Sequence, residues 1–239
     1  MSVKKYDVIF SLGSACLCSQ MLRKLHLQFC SYPLDWVTGD DLSNRIDLLA
    51  SDFKAFFNQE DFVLHPEWKE SKTDVYRNKR TGIIFPHDFP RDVLLESSYF
   101  DVKAKYDRRI SRLIGHIEKS DTILIVYVDK PAKEQNAATD DLLKSCHARI
   151  VDRFPNKNID LLYIFCSDDV REQKIGDHIF KFSFDYTEDG VPPYRLLHLR
   201  AFLKGRYKLK QSVYDRMRNL VFKIGKKIKK ARDNRSSAD

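Results

Sequence analysis

The chain has 239 residues, of which 43% are hydrophobic and 12% aromatic, and this is enough apolar material for one large or two small folded domains. No apolar run approaches the ~18–20 residues of a membrane span, and Asp7 precedes a short strand-like run where a secretory signal would be apolar. Five cysteines, an odd number at no framework spacing, are typical of reduced thiols. These features predict a cytoplasmic globular protein and favour reduced thiols over a disulfide scaffold.

The net charge of +8 is concentrated at the C-terminus, where residues 204–239 hold 13 Lys and Arg against three acidic residues. Over 210–232, apolar side chains recur three and four positions apart between basic ones, which predicts a basic amphipathic helix. Such a helix either binds an anionic membrane surface, on the inner face of the membrane, or packs on the body of the protein. A nucleic-acid partner is not expected, because the body has no second basic patch. We therefore expect an α/β domain over 1–205 and a basic helix and tail over 206–239.

Strand and helix signals alternate along the chain. Runs of β-branched and aromatic residues predict strands, and apolar residues at a 3.6-residue period predict helices. The predicted elements are, in chain order, a strand over 6–12, a helix over 15–25, an ordered loop over 28–38, a helix over 41–57, a β-hairpin over 75–85, a helix over 101–118, a strand over 122–128, a helix over 138–153, strands over 159–165 and 179–184, and a helix near 192–204. Ser14 is the expected N-cap of the first helix.

The strand–helix–strand unit over 122–165 has the length of a right-handed parallel crossover. The pattern as a whole predicts an α/β fold, a single three-layer domain with a mainly parallel sheet, a β-hairpin and helical insertion, and a basic C-terminal helix. In such sheets functional groups gather beyond the carboxyl ends of the strands. The loops after Leu12, Val128 and Phe165 are therefore expected to open on one site.

Cys16 stands in the first turn of a helix directly after a strand. Free N–H groups and the helix dipole favour an anion there, and a thiolate is the nucleophilic form of cysteine. Two other interpretations stay open, a buried structural cysteine and a turn in which Ser11, Gly13 and Ser14 cradle an anion with backbone N–H groups. Cys16 and Cys18 form a C-x-C pair with no second pair at zinc spacing, so neither a metal site nor a cofactor is expected.

His87 follows the hairpin between prolines and phenylalanines, in a rigid setting that suits a general base. The alternative is a histidine that stabilises a turn through its ring nitrogens. Asp129 ends the most hydrophobic strand and either orients an imidazole or makes a salt bridge. Asp168 and Asp169 likewise either orient an imidazole or make a salt bridge, and a third interpretation is that they bind a divalent cation.

Three motifs occur in order: Ser-Leu-Gly-Ser-Ala-Cys over 11–16, Ser-Tyr-Pro-Leu-Asp-Trp over 31–36 and Phe-Pro-His-Asp-Phe over 85–89. They resemble the S-L-G-x-x-C, S-x-P-F-D-W and H-D-F motifs of an uncharacterised bacterial and viral family of papain-like cysteine peptidases, with Leu34 where the family has Phe. The resemblance covers residues 7–90 closely. It implies a catalytic Cys16–His87 pair with a later acidic residue as orienter, and a papain-like α+β fold as the alternative architecture.

Two functions follow. The first is a cysteine-dependent hydrolase or acyl-transfer enzyme acting on a peptide or acyl substrate, in which Cys16, His87 and Asp129 are catalytic. The second rests on the resemblance, because members of the family stand beside surface-polysaccharide genes: a membrane-proximal glycan- or nucleotide-sugar-handling protein in which Cys16 is structural. An adaptor held by its tail is a third, non-enzymatic interpretation. The residues expected to bind substrate are Ser11, Gly13, Ser14, Asp35, Trp36 and Asp88.

Overall fold

The structure is a computed structural model that describes residues 3–54, 56–70, 72–129, 136–184 and 193–210. The elements in chain order are β1 (Lys4–Tyr6), β2 (Val8–Ser11), α1 (Cys16–Lys24), α2 (Leu42–Ala50), a 3₁₀ turn (Gln59–Asp61), β3 (Phe62–Lys69), β4 (Thr73–Asn78), β5 (Ile84–Pro90), α3 (Leu95–Glu118), β6 (Thr122–Asp129), α4 (Asp140–Arg153), β7 (Asn158–Cys166), β8 (Glu172–Ile175), β9 (Ile179–Phe184), α5 (Pro193–Arg206) and β10 (Tyr207–Leu209).

The central sheet has the strand order β2-β6-β7-β9-β8. Strands β2, β6, β7 and β9 are parallel, and β8 pairs antiparallel with β9 at one edge. Residue Ile125 of β6 stands between Phe10 of β2 and Leu161 of β7. The parallel pairing of β6 with β7, joined by α4, confirms the predicted crossover.

Helices cover both faces of this sheet. Ile125 and Tyr127 of β6 belong to the apolar cluster that includes α2, α3 and α4, whereas Leu124 and Val126 belong to the cluster that includes α1 and α5. Successive residues of a strand point to opposite faces, so β6 is buried on both sides. The predicted three-layer α/β architecture with a mainly parallel sheet is confirmed.

A second, antiparallel sheet has the order β3-β4-β5 and contains the predicted hairpin. Aromatic side chains pack it against α3: Phe85 of β5 meets Tyr106 with ring centroids 5.4 Å apart, and Phe57, which precedes β3, stacks on the same tyrosine at 5.0 Å. Aromatic contacts of this kind add to the stability that area burial supplies. Strand β5 is thereby held rigidly against α3.

Several predicted boundaries are wrong. Ser14 is not the N-cap of α1; Ala15 occupies that position, and the Ser14 hydroxyl donates to the carbonyl of Val128 instead. The helix predicted over 41–57 ends at Ala50, because Asp52 and Phe53 take left-handed φ values of 55° and 60°. Such values interrupt helical hydrogen bonding.

The C-terminal part of the body ends in a short strand. Strand β10 pairs in parallel with β1, and Tyr207 is buried. Residues 211–239 lie outside the described residues, and with them almost all of the amphipathic segment 210–232, so the division at 205, the membrane contact and the cytoplasmic location stay predictions. Within the described part of the chain, no helix has the length and apolar character needed to cross a membrane.

Candidate active site

Cys16 is the first residue of α1, which follows β2 after a buried turn. Gly13 in this turn passes so close to α1 that a Cβ atom built on it would lie 2.6 Å from the Cβ of Cys18. Its N–H donates to the hydroxyl of Ser11 at 3.0 Å. The turn residues Ser11 and Gly13, expected to bind substrate, therefore make close internal contacts that set where α1 begins.

Arg45 of α2 supports the same turn through hydrogen bonds to its backbone carbonyls. Its guanidinium is fully buried and donates to the carbonyls of Leu12, at 3.2 Å, and of Gly13. A further bond of 2.6 Å reaches the carbonyl of Gly39. Burial lowers the pKa of Arg45, but a guanidinium stays charged in proteins. A buried cation thus fixes the backbone that leads to the candidate nucleophile.

His87 extends from β5, whose alternation places the neighbouring Asp88 on the opposite side. The carboxylate of Asp88 accepts hydrogen bonds from Lys105 and, at 2.7 Å, from the hydroxyl of Tyr106. Both partners belong to α3, so Asp88 ties β5 to that helix. Its side chain is only 4% exposed, and we interpret Asp88 as a positioning residue for His87 instead of a substrate ligand.

Thr38 connects the two halves of the site. Its backbone exchanges two hydrogen bonds with Ile84 at the start of β5, of 3.0 and 2.8 Å. Its hydroxyl donates to the carbonyl of Ser14 at 3.0 Å. One residue therefore links the turn that carries Cys16 with the strand that carries His87.

The Sγ atom of Cys16 lies 3.9 Å from Nε2 of His87, and the thiol is half-buried. Burial raises the pKa of the Cys16 thiol, with Asp35 and Asp88 adding to the shift, while its own backbone N–H and Arg45 oppose it. The direction is opposite to that expected from the helix N-terminus alone. Desolvation outweighs the opposing contributions here and favours the neutral thiol over the thiolate.

The loop over 31–36 runs along α1. Ser19, one turn after Cys16, donates to the carbonyl of Asp35 at 2.8 Å, and Arg23, two turns after Cys16, donates to the hydroxyl of Ser31 at 2.8 Å. The indole of Trp36 donates to the same hydroxyl at 3.3 Å and is half-buried. Trp36, expected to bind substrate, thus lies beside the helix that carries Cys16.

Asp35 is fully buried. One of its oxygens accepts from the N–H of Tyr32 at 2.8 Å and from the amide of Gln28 at 2.6 Å. Burial raises the pKa of Asp35 to about 6, opposed by these hydrogen bonds and by the charges of Arg23 and Arg109. Its partners lie inside the protein, so Asp35 organises the loop and does not project into solvent.

The acidic candidates at the strand ends make no hydrogen bond to the histidine among the described residues. Asp129 accepts a 2.8 Å hydrogen bond from the hydroxyl of Tyr163, and among the described residues His87 has its one hydrogen-bond partner in Cys16. Asp169 donates its N–H to the hydroxyl of Ser167. The role of Asp129 as orienter stays a prediction that no contact with His87 supports.

Within the described ranges, no three His, Cys, Asp or Glu side chains stand close enough together to hold a metal ion. Cys18 is buried, and its thiol lies 3.6 Å from the carbonyl of Val126 as a donor. Cys16 instead lies beside His87, so the two thiols of the C-x-C pair do not point to a common metal site.

Sequence reasoning missed Thr38 and Arg45. Thr38 gave no signal, because its role depends on β5, which is far along the chain. Arg45 did give one: it lies three residues after Leu42 and four before Leu49, on the apolar side of a helix. A lone arginine at core spacing indicates a buried charge with internal acceptors.

Comparisons with known proteins place these residues in a wider group. Residues 7–169 match the family described as "Putative papain-like cysteine peptidase (DUF1796)". An uncharacterised protein of Acanthamoeba polyphaga mimivirus is 32% identical over an alignment of 155 positions that covers 57% of this chain and 69% of the viral protein. No solved structure matches the chain. The matched range contains Cys16, His87 and all of the loop over 31–36.

Proposed function

Because the chain belongs to this family of papain-like cysteine peptidases, we propose that it is a cysteine-dependent hydrolase or acyl-transfer enzyme, with Cys16 as nucleophile and His87 as general base. The observation that carries the proposal is the 3.9 Å separation between Sγ and Nε2. A contact only slightly longer than a productive hydrogen bond is usual for a catalytic pair without substrate.

In the proposed reaction, Nε2 of a neutral His87 removes the thiol proton as Sγ attacks the carbonyl carbon of the substrate. The carbonyl electrons move to oxygen, which receives hydrogen bonds from N–H groups in the first turn of α1. The N-cap of this helix, Ala15, makes no side-chain hydrogen bond to that turn. Such N–H groups stabilise an oxyanion.

Collapse of this intermediate breaks the bond to the leaving group, which takes the proton from His87, and leaves an acyl thioester on Cys16. Water or another acceptor then attacks the thioester, and His87 removes its proton and returns a proton to the thiolate. The cycle restores both residues. The raised pKa of the thiol makes the base necessary, since little thiolate forms unaided at neutral pH.

The first test measures alkylation of each cysteine by iodoacetamide with mass spectrometry. At neutral pH, Cys16 should react faster than the half-buried Cys30, and His87→Ala should slow Cys16 by about a hundredfold, in the range of general-base effects. The His65→Ala variant is the matched control and should leave the rate unchanged. In His87→Ala, labelling of Cys16 should become faster only at pH values above the pKa of an ordinary thiol.

The second test follows covalent catalysis with p-nitrophenyl acetate. Wild-type protein should release a burst of nitrophenolate and gain one acetyl group on Cys16, and neither should occur in Cys16→Ala. Equal labelling of Cys16 with and without His87, together with no acetyl group, would show that Cys16 is structural. That outcome would favour the glycan-handling alternative, for which the half-buried Trp36 and the exposed His87 are candidates.

A further inference from the structure

Three arginines surround the loop beside the Cys16–His87 pair, and we call Arg23, Arg109 and Arg112 the arginine cluster. Arg23 extends from α1 and donates to the Ser31 hydroxyl, and Arg112 of α3 donates to the Ser31 carbonyl at 2.9 Å. Arg109 lies one turn before Arg112 on the same helix. The cluster therefore brings two helices together over the loop that borders the candidate nucleophile.

The cluster is not neutralised by the protein. Among the described residues, no carboxylate lies within 4.0 Å of any of the three guanidinium groups, whereas other arginines such as Arg149 and Arg153 do have acidic partners. The nearby Asp88 is already paired with Lys105, and the buried Asp35 feels the charges of Arg23 and Arg109. Three cations without a salt-bridge partner among the described residues favour a positive potential at this end of the site.

Arg109 provides the sharper observation. Its Nη1 atom is buried and has no hydrogen-bond partner, although its guanidinium lies 5.1 Å from the ring of Tyr106. Buried guanidinium N–H groups normally have acceptors, because an unmet charged donor loses its hydration without replacement. An anionic group is the acceptor that a guanidinium binds best.

The position of the cluster fits a substrate that reaches the nucleophile. Tyr106, which Arg109 overlies, donates to Asp88, the neighbour of His87. Arg23 follows Cys16 by seven residues along α1, a rise of about 10 Å on the same side of the helix. The exposed part of Trp36 lies near Arg23, whose guanidinium is 5.8 Å from the ring. A chain of several atoms attached to the reacting carbonyl would span this distance.

We propose that the arginine cluster is an anion subsite, and that the enzyme acts on acyl substrates carrying a carboxylate or phosphate close to the reacting carbonyl, with Arg109 as a specificity-determining residue. The inference rests on the proposed function, since it assigns the substrate class of the same Cys16. A carboxylate from an acidic residue and a phosphate from a phosphorylated one share the chemistry that a guanidinium recognises.

The test uses three bromoacetyl amino acid amides that alkylate Cys16, the glutamine, glutamate and phosphoserine derivatives, each with its α-carboxyl group blocked as the amide. Glutamine and glutamate differ in charge and hardly in size. We expect at least one anionic reagent to label Cys16 about tenfold faster than the neutral one at low salt, and the preference to shrink as ionic strength rises. Which anion reacts faster distinguishes a carboxylate from a phosphate.

Arg109→Gln should remove most of that preference, measured in each variant as the ratio of the rates with the anionic and the glutamine reagents. Arg108→Gln is the matched control, because Arg108 is its exposed neighbour on α3 and carries the same charge. Arg109→Lys, which keeps the charge, should retain part of the preference, and thermal unfolding checks that each variant is folded.

The inference is overturned if wild-type Cys16 shows no preference for either anionic reagent, or if Arg108→Gln lowers the preference as much as Arg109→Gln. Both results leave the proposed function standing as long as labelling depends on His87. Loss of that dependence would instead remove the proposed function itself, so the two failures can be told apart.

Discussion

Replacement of Arg45 by methionine tests whether a buried cation holds the turn before Cys16. Methionine has a similar length and helix propensity, so α2 itself is not disturbed. The change removes hydrogen bonds to the carbonyls of Leu12, Gly13 and Gly39. Arg45→Met therefore isolates the support that the turn receives from below.

The expected loss of stability follows from those three acceptors. Each buried carbonyl left without a donor costs about 1 kcal/mol at the lower end of the usual range, which gives about 3 kcal/mol in total. The variant no longer buries a charge, which offsets part of this loss and keeps the estimate at the lower end. The turn should also relax, and the distance between Sγ of Cys16 and Nε2 of His87 should increase.

Urea unfolding measures the first effect, and iodoacetamide labelling of Cys16 measures the second. Arg149→Met is the comparison, since that arginine is partly exposed on α4 and its contact with Asp47 should contribute less than about 1 kcal/mol. The reasoning is refuted if Arg45→Met unfolds within about 0.5 kcal/mol of the wild type and labels at the same rate.

Three further predictions concern the turn, the loop and the tail. Gly13→Ala should lower stability by about 1–3 kcal/mol and slow labelling of Cys16, because its Cβ would overlap α1; unchanged urea unfolding would contradict this. Asp35 has a pKa raised to about 6, so the folded state binds its proton more tightly, and stability should fall as pH rises from about 4 to 6. Asp35→Asn should lack that component of the urea-unfolding profile, and identical profiles would refute it. Removal of residues 211–239 should leave a folded body that no longer sediments with anionic vesicles. The full chain should bind the vesicles at 0.1 M salt and dissociate near ~1 M, because screening shortens the Debye length to about 3 Å. Vesicle binding that survives the truncation would show that the tail is not the membrane contact.

The parallel crossover could be predicted because its signal is local. The runs ending at Val128 and Phe165 are continuously apolar, and a strand buried on both faces requires that composition whatever surrounds it. Strands β3, β8 and β10 could not be predicted in this way. They form because a neighbouring strand offers hydrogen bonds, as β1 does for Tyr207.

The candidate pair lay partly within reach of the sequence. The helix predicted after β2 placed Cys16 at a helix N-terminus. A spacing of 71 residues does not indicate that Cys16 meets His87, and only the motif resemblance predicted that pair. The structure supplies the physical link through Thr38, whose hydrogen bonds reach both the turn and β5. Such contacts between distant segments have no periodicity to detect.

Charge and burial show most clearly what the sequence determines and what only the tertiary structure determines. The sequence by itself determined which residues carry titratable groups and which helix carries the thiol, because composition and period are local properties. Only the tertiary structure decided that desolvation raises the pKa of Cys16, that Asp88 is bonded to α3, and that Arg109 has a buried nitrogen without a partner. Electrostatic free energies depend on the solvent excluded by every packed element, and that exclusion exists only after the chain has folded.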